Sequence, residues 1–277
     1  MLLSGHIIGV CSWSLRSVTM RELVAVVKAI GLSDVQLALG GMVGLSPEAR
    51  RAEFAALRNA GIGITAGMVG FAGEDYATIA RIHDTGGYVP PSTYNDRREL
   101  SKRAADIAAE NNISLVSTHV GFIPAPEHAD YADALSRIGR VADDFAASGV
   151  RLGLETGQEP AAQLLQFLTT LGAKNVVVNF DPANMILYGA GDPVQAVTLL
   201  GKHIGQVHLK DATASNKPGV EWGEEVPFGT GQVDARRFLA ALTATGYTGP
   251  LIFEREAGDD RVADLHSGIE SLKRALV

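Results

Sequence analysis

Eight times along this chain a short apolar run rich in β-branched residues gives way to a longer amphipathic stretch. Each changeover carries a turn residue or a helix cap. The expected strands are Ile7–Trp13, Val35–Leu39, Ile62–Val69, Leu115–His119, Arg151–Glu155, Val176–Asp181, Ile204–Lys210 and Leu251–Glu254. Helices are expected at Met20–Ile30, closed by Gly31, and from Pro47 onward, with Ser46 as N-cap. Further helices are expected at Arg97–Glu110, Tyr131–Ala147, Pro160–Leu171, Pro193–Leu200, Ala235–Thr245 and Val262–Leu276. A Glu99/Arg103 pair is expected to support the third of these eight helices. Strands separated by one helix each run parallel, because every crossover returns the chain in the same direction, and eight such units can close. The sequence therefore predicts an α/β chain folded as a (β/α)8 TIM barrel, one domain spanning residues 1–277. The alternative, an open doubly wound sheet, usually brings a glycine-rich phosphate loop after the first strand. Cys11-Ser12-Trp13-Ser14 stands there instead.

Charge and cysteine content narrow the partners. With 24 basic and 31 acidic residues the formal charge is −7, a field that repels a phosphate backbone, so nucleic acid is not an expected partner. Cys11 is the only cysteine, which excludes an internal disulfide and a cysteine-rich zinc site. The first charged residue is Arg16, so the basic-then-apolar order of a signal peptide is missing. No uncharged apolar run is long enough for a membrane span. A cytoplasmic protein without a membrane partner is expected.

The strand ends carry the chemistry. Glu155 (Leu152-Gly-Leu-Glu), Asp181 (Val178-Asn-Phe-Asp), His208 (Val207-His-Leu) and Glu254 (Ile252-Phe-Glu) terminate four consecutive strands. The first two intervals match one strand-helix unit, and the third matches one unit with a long loop. Taken singly, a strand-end acid is as often a helix cap or a paired surface charge. Four at one level of a barrel mouth need something to balance their desolvation. Three carboxylates and an imidazole, with no thiol, describe one borderline-to-hard divalent cation such as Mn²⁺, Mg²⁺ or Co²⁺, with Zn²⁺ also open.

These strand ends, together with Val-Asn-Phe-Asp-Pro-Ala-Asn-Met at 178–185, Val-His-Leu-Lys-Asp at 207–211 and Phe-Gly-Thr-Gly at 228–231, resemble the xylose-isomerase-like sugar isomerase and epimerase superfamily. Within it the chain looks most like the ketose 3-epimerase type. The resemblance implies that Glu155, Asp181, His208 and Glu254 bind one Mn²⁺-like ion, with Glu155 and Glu254 also acting as the two catalytic proton-transfer groups. The implied reaction removes a proton beside a ketose carbonyl, passes through a metal-stabilised enediolate and returns a proton to the opposite face. A lyase or dehydratase acting on keto-sugars or 3-keto-glycosides is the alternative on the same ligands. An apurinic endonuclease fits less well, because Asn184 replaces the histidine of the epimerase pattern and the net charge is negative.

Secondary candidates surround this set. His119 ends the fourth expected strand at the same mouth and is read as a substrate ligand. Asn184, Lys210 and Trp13 are further substrate-binding candidates: Lys210 is either a substrate contact or an ion-pair partner, and Trp13 either a wall for a sugar ring or core. Glu256 is read as substrate-binding, and it competes with Glu254 for the ligand position. Two loops are lid candidates: Asp84–Pro91, with paired glycines as hinge and Tyr88 offered to the ligand, and Ala212–Val226, which carries Trp222. His6, His83, His128, His203 and His266 are read as surface or helix residues without chemistry. Association into a dimer or tetramer through helix faces is expected.

Overall fold

The computed structural model describes residues 1–276. Eight strands form its centre: β1 (His6–Cys11), β2 (Asp34–Ala38), β3 (Gly63–Met68), β4 (Leu115–Thr118), β5 (Arg151–Glu155), β6 (Val176–Phe180), β7 (Ile204–Leu209) and β8 (Leu251–Phe253). All neighbours pair in parallel, and β1 pairs with both β8 and β2, which closes the barrel. Strands covered on both sides need continuous apolar runs. Ile8, Val10, Val35, Val116, Leu152, Leu154, Val178 and Val207 accordingly have no exposed surface.

One outer helix follows each strand: α1 (Met20–Ala29), α2 (Pro47–Asn59), α3 (Tyr94–Glu110), α4 (Tyr131–Ala147), α5 (Ala161–Leu171), α6 (Pro193–Leu200), α7 (Ala235–Ala244) and α8 (Arg261–Ala275). The starts are set by side chains that accept free backbone N–H groups. Thr19 and Glu22 form a capping box on α1, Ser46 accepts from the Ala49 N–H, and Asp192, Asp234 and Asp260 cap α6, α7 and α8. Gly31, just past α1, takes the left-handed φ of 78° that ends helices. Among the described residues no helix is long and apolar enough to cross a membrane.

Several expectations need correction. β1 stops at Cys11, and Trp13 lies in a 3₁₀ turn, Ser12–Leu15, that directs it toward the mouth. The excursion after β3 contains a helix, Ile79–Thr85, and a further short helix, Pro182–Leu187, follows β6. Within the loop after β7, Asp211–Thr213 and Glu224–Val226 pair as an antiparallel ribbon. The Glu99/Arg103 pair does not form: Glu99 is exposed, and Arg103 donates to the Val43 carbonyl (2.7 Å). Tyr88 faces the core, with no exposed surface and its hydroxyl 2.7 Å from Ser101 Oγ. A side chain at Gly87 would strike the Val120 backbone, so this segment is packed down and not hinged. His6 is buried at the start of β1, its Nδ1 2.8 Å from the Gly249 carbonyl oxygen.

Candidate active site

Parallel pairing, with a register shift between β6 and β7 at Val178/Asn179, sets the ends of β5 to β8 at one rim, so Glu155, Asp181, His208 and Glu254 meet there. Each offers an atom to a cluster whose members lie within 4.8 Å of one another, and all four side chains are buried. His208 Nδ1 is 3.0 Å from Glu155 Oε1, 3.2 Å from Glu254 Oε2 and 3.5 Å from Asp181 Oδ2. Despite that crowding, His208 Nδ1 and Asp181 Oδ2 have no hydrogen-bond partner. Buried polar atoms are nearly always satisfied. Two orphaned donor atoms in a nest of three carboxylates fit a divalent cation, which would satisfy both.

The surrounding polar groups aim these atoms. Gln36 Nε2 donates to Ser117 Oγ (2.6 Å) and to the Gly67 carbonyl (3.2 Å), which leaves its Oε1 to accept from His208 Nε2–H (2.7 Å). A proton on Nε2 turns the Nδ1 lone pair toward the cluster, as an outer partner does for a metal-binding histidine. Asp181 Oδ1 caps the Pro182–Leu187 helix, accepting from the Ala183 and Asn184 N–H groups, so only Oδ2 points inward. Asn179 donates to Glu155 Oε2, and Trp13 Nε1–H donates to Glu254 Oε1 (2.7 Å). Cys11 Sγ approaches His208 Nε2 at 3.7 Å, but burial pushes its thiol up, away from the thiolate that binds metals.

Charge inside the cluster is balanced by Lys210. Its buried ammonium donates to Glu254 Oε2 and Glu256 Oε2, each at 2.9 Å, and lies 3.4 Å from Asn184 Oδ1. The ion-pair reading of Lys210 is therefore the one the geometry carries. Burial opposes ionisation of Glu254, yet the positive charges of Lys210 and His208 win and hold its carboxyl well below the usual range. Burial dominates at Asp181, pushing it up to about 6 against the pull of Lys210. At His208 burial works against the imidazolium, but the charges of Glu155 and Glu254 prevail and raise it. Glu256 lies outside the four-residue cluster and is half exposed, so the cluster contains Glu254 and not Glu256.

A cavity of about 660 Å³ opens from Glu254 across the mouth. Trp13, Met68, Phe71, Tyr76 and His119 line it. His119 thus reaches the mouth as expected, and its Nδ1 is buried without a partner. Trp222, from the loop after β7, donates through Nε1 to the Tyr76 carbonyl (3.0 Å) and joins the two loops that flank the mouth. Sequence reasoning missed Gln36, Asn179 and Gln206, the polar layer beneath the cluster. The available signal was alternation: Asn179 and Gln206 stand two residues before Asp181 and His208, on the same strand face. It also missed Tyr76 and Glu74, whose excursion carries no periodic pattern.

A family model described as a xylose isomerase-like TIM barrel matches residues 24–275. The chain belongs to that family. Ketose 3-epimerase of Arthrobacter globiformis is 26% identical over 176 residues, 59% of this chain and 57% of that protein. 3-Dehydroshikimate dehydratase of Pseudomonas aeruginosa is 33% identical over 136 residues, 44% of this chain and 22% of that protein. The matched segments thus span little more than half of the first of these curated relatives and under a quarter of the second. The crystal structure of a xylose isomerase domain protein from Planctomyces limnophilus is 32% identical, covers 97% of this chain and 95% of its own, and superposes with a TM-score of 0.87. Xylose isomerase-like barrels with sugar-epimerase and dehydratase relatives are therefore this chain's kin.

Proposed function

We propose that this protein is a divalent-metal-dependent sugar epimerase of the ketose 3-epimerase type, with Glu155, Asp181, His208 and Glu254 as metal ligands. The observation that carries this reading is the pairing of orphaned His208 Nδ1 with orphaned Asp181 Oδ2 inside three converging carboxylates. When bound by these four residues, a divalent cation, Mn²⁺ as the first candidate, would supply Lewis-acid polarisation of a sugar carbonyl and its neighbouring hydroxyl. Glu155 and Glu254 approach the cluster from strands on opposite sides of β6 and β7, so one carboxylate can take a carbon-bound proton while the other returns one to the opposite face. Each has a partner that sets its orientation: Asn179 on Glu155, and Trp13 with Lys210 on Glu254. His119 Nδ1, unpaired at the cavity edge, is positioned to hydrogen-bond a sugar hydroxyl, and Asn184 and Glu256 border the Lys210 side.

The test is turnover in D₂O. Chelator-stripped protein is reloaded with Mn²⁺ and offered free ketohexoses, and NMR follows a carbinol proton. Exchange together with an epimeric product, lost on stripping and restored on reloading, is expected. Full activity after stripping would overturn the reading.

A second reading is elimination, favoured by one observation. Asn184, where the epimerase pattern has a histidine, is an amide that cannot titrate, and a 3-dehydroshikimate dehydratase is among the relatives. Loss of water or of an aglycone, in place of an epimer, would select it.

A further inference from the structure

The cluster occupies only half of the barrel mouth. Strands β5 to β8 contribute the acids, the imidazole and Lys210, whereas the cavity runs the other way, over the ends of β1 to β4. There the lining is Trp13, Ala38, Met68, Phe71 and Tyr76, with Gly40, Gly41 and Gly70 between them; His119, Glu74 and Glu256 are its polar members beside Glu254. A hexose has about twelve heavy atoms, each taking roughly half of the ~30 Å³ that a liquid water occupies, so it fills roughly 180 Å³. The cavity, at about 660 Å³, leaves most of its space unused by such a ring.

The unused part is built and apolar. Phe71 is held between the Tyr88 ring (centroids 5.2 Å apart) and the Arg97 guanidinium (5.3 Å from its centroid). Arg97 also donates to the Thr85, Gly87 and Ala72 carbonyls and fixes the excursion that carries Phe71 and Tyr76. Glu74 is the acid of this half. Its oxygens accept from the Phe71 and Gly87 N–H groups and are committed to the loop. A second sugar ring would find only His119 Nδ1 and the Tyr76 hydroxyl as uncommitted partners here and would bury its other hydroxyls against Trp13, Met68 and Phe71 at a cost. A flat apolar ring would stack on it.

We propose that this site takes a sugar carrying an aryl substituent, with the sugar oxygens at the Glu155–Asp181–His208–Glu254 cluster and the aryl ring against Trp13, Met68, Phe71 and Tyr76. The proposal rests on the metal-sugar reading above and specifies its substrate class. A free monosaccharide satisfies the cluster but leaves the Met68–Tyr76 wall wet.

Calorimetry on the Mn²⁺-loaded protein tests it, with phenyl β-D-glucoside, methyl β-D-glucoside and cellobiose as probes. The phenyl compound should bind at least tenfold more tightly than the methyl compound, with a more negative heat-capacity change from apolar burial. A Cβ built on Gly70 or Gly41 meets nothing within 4 Å, so G70L and G41L add bulk at the cavity lining without a clash at the Cβ. Either variant that melts like the parent should bring the phenyl-to-methyl ratio to within about twofold. Equal binding of phenyl and methyl glucoside by the parent would overturn the aryl assignment and leave the epimerase reading standing. So would a cellobiose gain matching that of phenyl. If no probe binds and no ketose exchanges a proton in the presence of Mn²⁺, the metal-sugar reading itself fails, and this one with it.

Discussion

At the scale of single residues, the cluster separates groups that act from groups that aim. E155Q and E254Q keep size and most contacts but remove a base, so turnover should fall by at least about a thousandfold, toward the contribution of binding alone. An unchanged melting temperature would attribute the loss to chemistry and not to unfolding. Gln36 holds the His208 ring without touching the cation site, and Q36L should weaken Mn²⁺ binding by about 10- to 100-fold while leaving the ligand set intact. Equal metal affinity in Q36L and parent would remove Gln36 from that role. Glu159 lies outside the cluster, 5% exposed and with Oε2 unpartnered; burial pushes its carboxyl up to about 8 from 4.5. The folded state therefore keeps a proton that the unfolded chain has released between those values. The resulting stability is fully present below about pH 4.5 and is lost as pH rises toward 8, by several kcal/mol at about 1.4 kcal/mol per unit. Melting curves across that range should show E159Q gaining on the parent as pH rises; a constant difference would contradict it.

At the scale of elements, the Phe-Gly-Thr-Gly turn has a structural origin. Asp211 accepts from the Ala212, Gly229, Gly231 and Val233 N–H groups at 2.9–3.0 Å and so winds residues 228–233 around one carboxylate. Side chains at Gly229 and Gly231 would meet Ser271 and Asp211, which explains why both are glycine. D211A leaves four donors without their acceptor, a cost of at least about 3 kcal/mol, and should lower the melting temperature by several degrees. A shift below one degree would show the turn to be held otherwise. Arg255, paired with Glu225 and Asp264 at 2.8 Å each, ties the neighbouring Asp211–Val226 ribbon to α8. Both loops that border β8 are thus fastened from beneath, and Glu254 sits between them.

At the scale of the whole molecule, the barrel concentrates negative charge at one rim. Glu155, Asp181 and Glu254 converge with His208 within 4.8 Å, and the Lys210 ammonium is the positive charge that answers them. A cation that binds only the folded chain must stabilise it. At a Mn²⁺ concentration a hundred times Kd the gain is about 2.7 kcal/mol. Scanning calorimetry of stripped and reloaded protein reads this directly, and identical transitions would refute a metal site at the rim. The mouth is divided in the same way, charged over β5 to β8 and mainly apolar over β1 to β4, where His119 and Glu74 are the exceptions, so ligand contacts on the two sides should differ in heat capacity as well as in affinity.

The alternation of apolar and amphipathic runs was enough to specify eight strands, eight helices and closure, because each strand-helix unit is local and parallel pairing follows from the crossovers. Glu155, Asp181, His208 and Glu254 were legible for the same reason: they end strands, and strand ends share a rim. What lay between units was not legible. Tyr88 and Tyr76 share one excursion, yet one is core and the other wall, and it is Arg97 and Glu74 that decide which. Trp13 became the partner of Glu254 only when β8 closed on β1, and Gln36 became the partner of His208 only across the barrel interior. Local periodicity encodes elements because neighbouring residues share a backbone geometry. Partners 172 or 241 residues apart in the chain are chosen by closure alone.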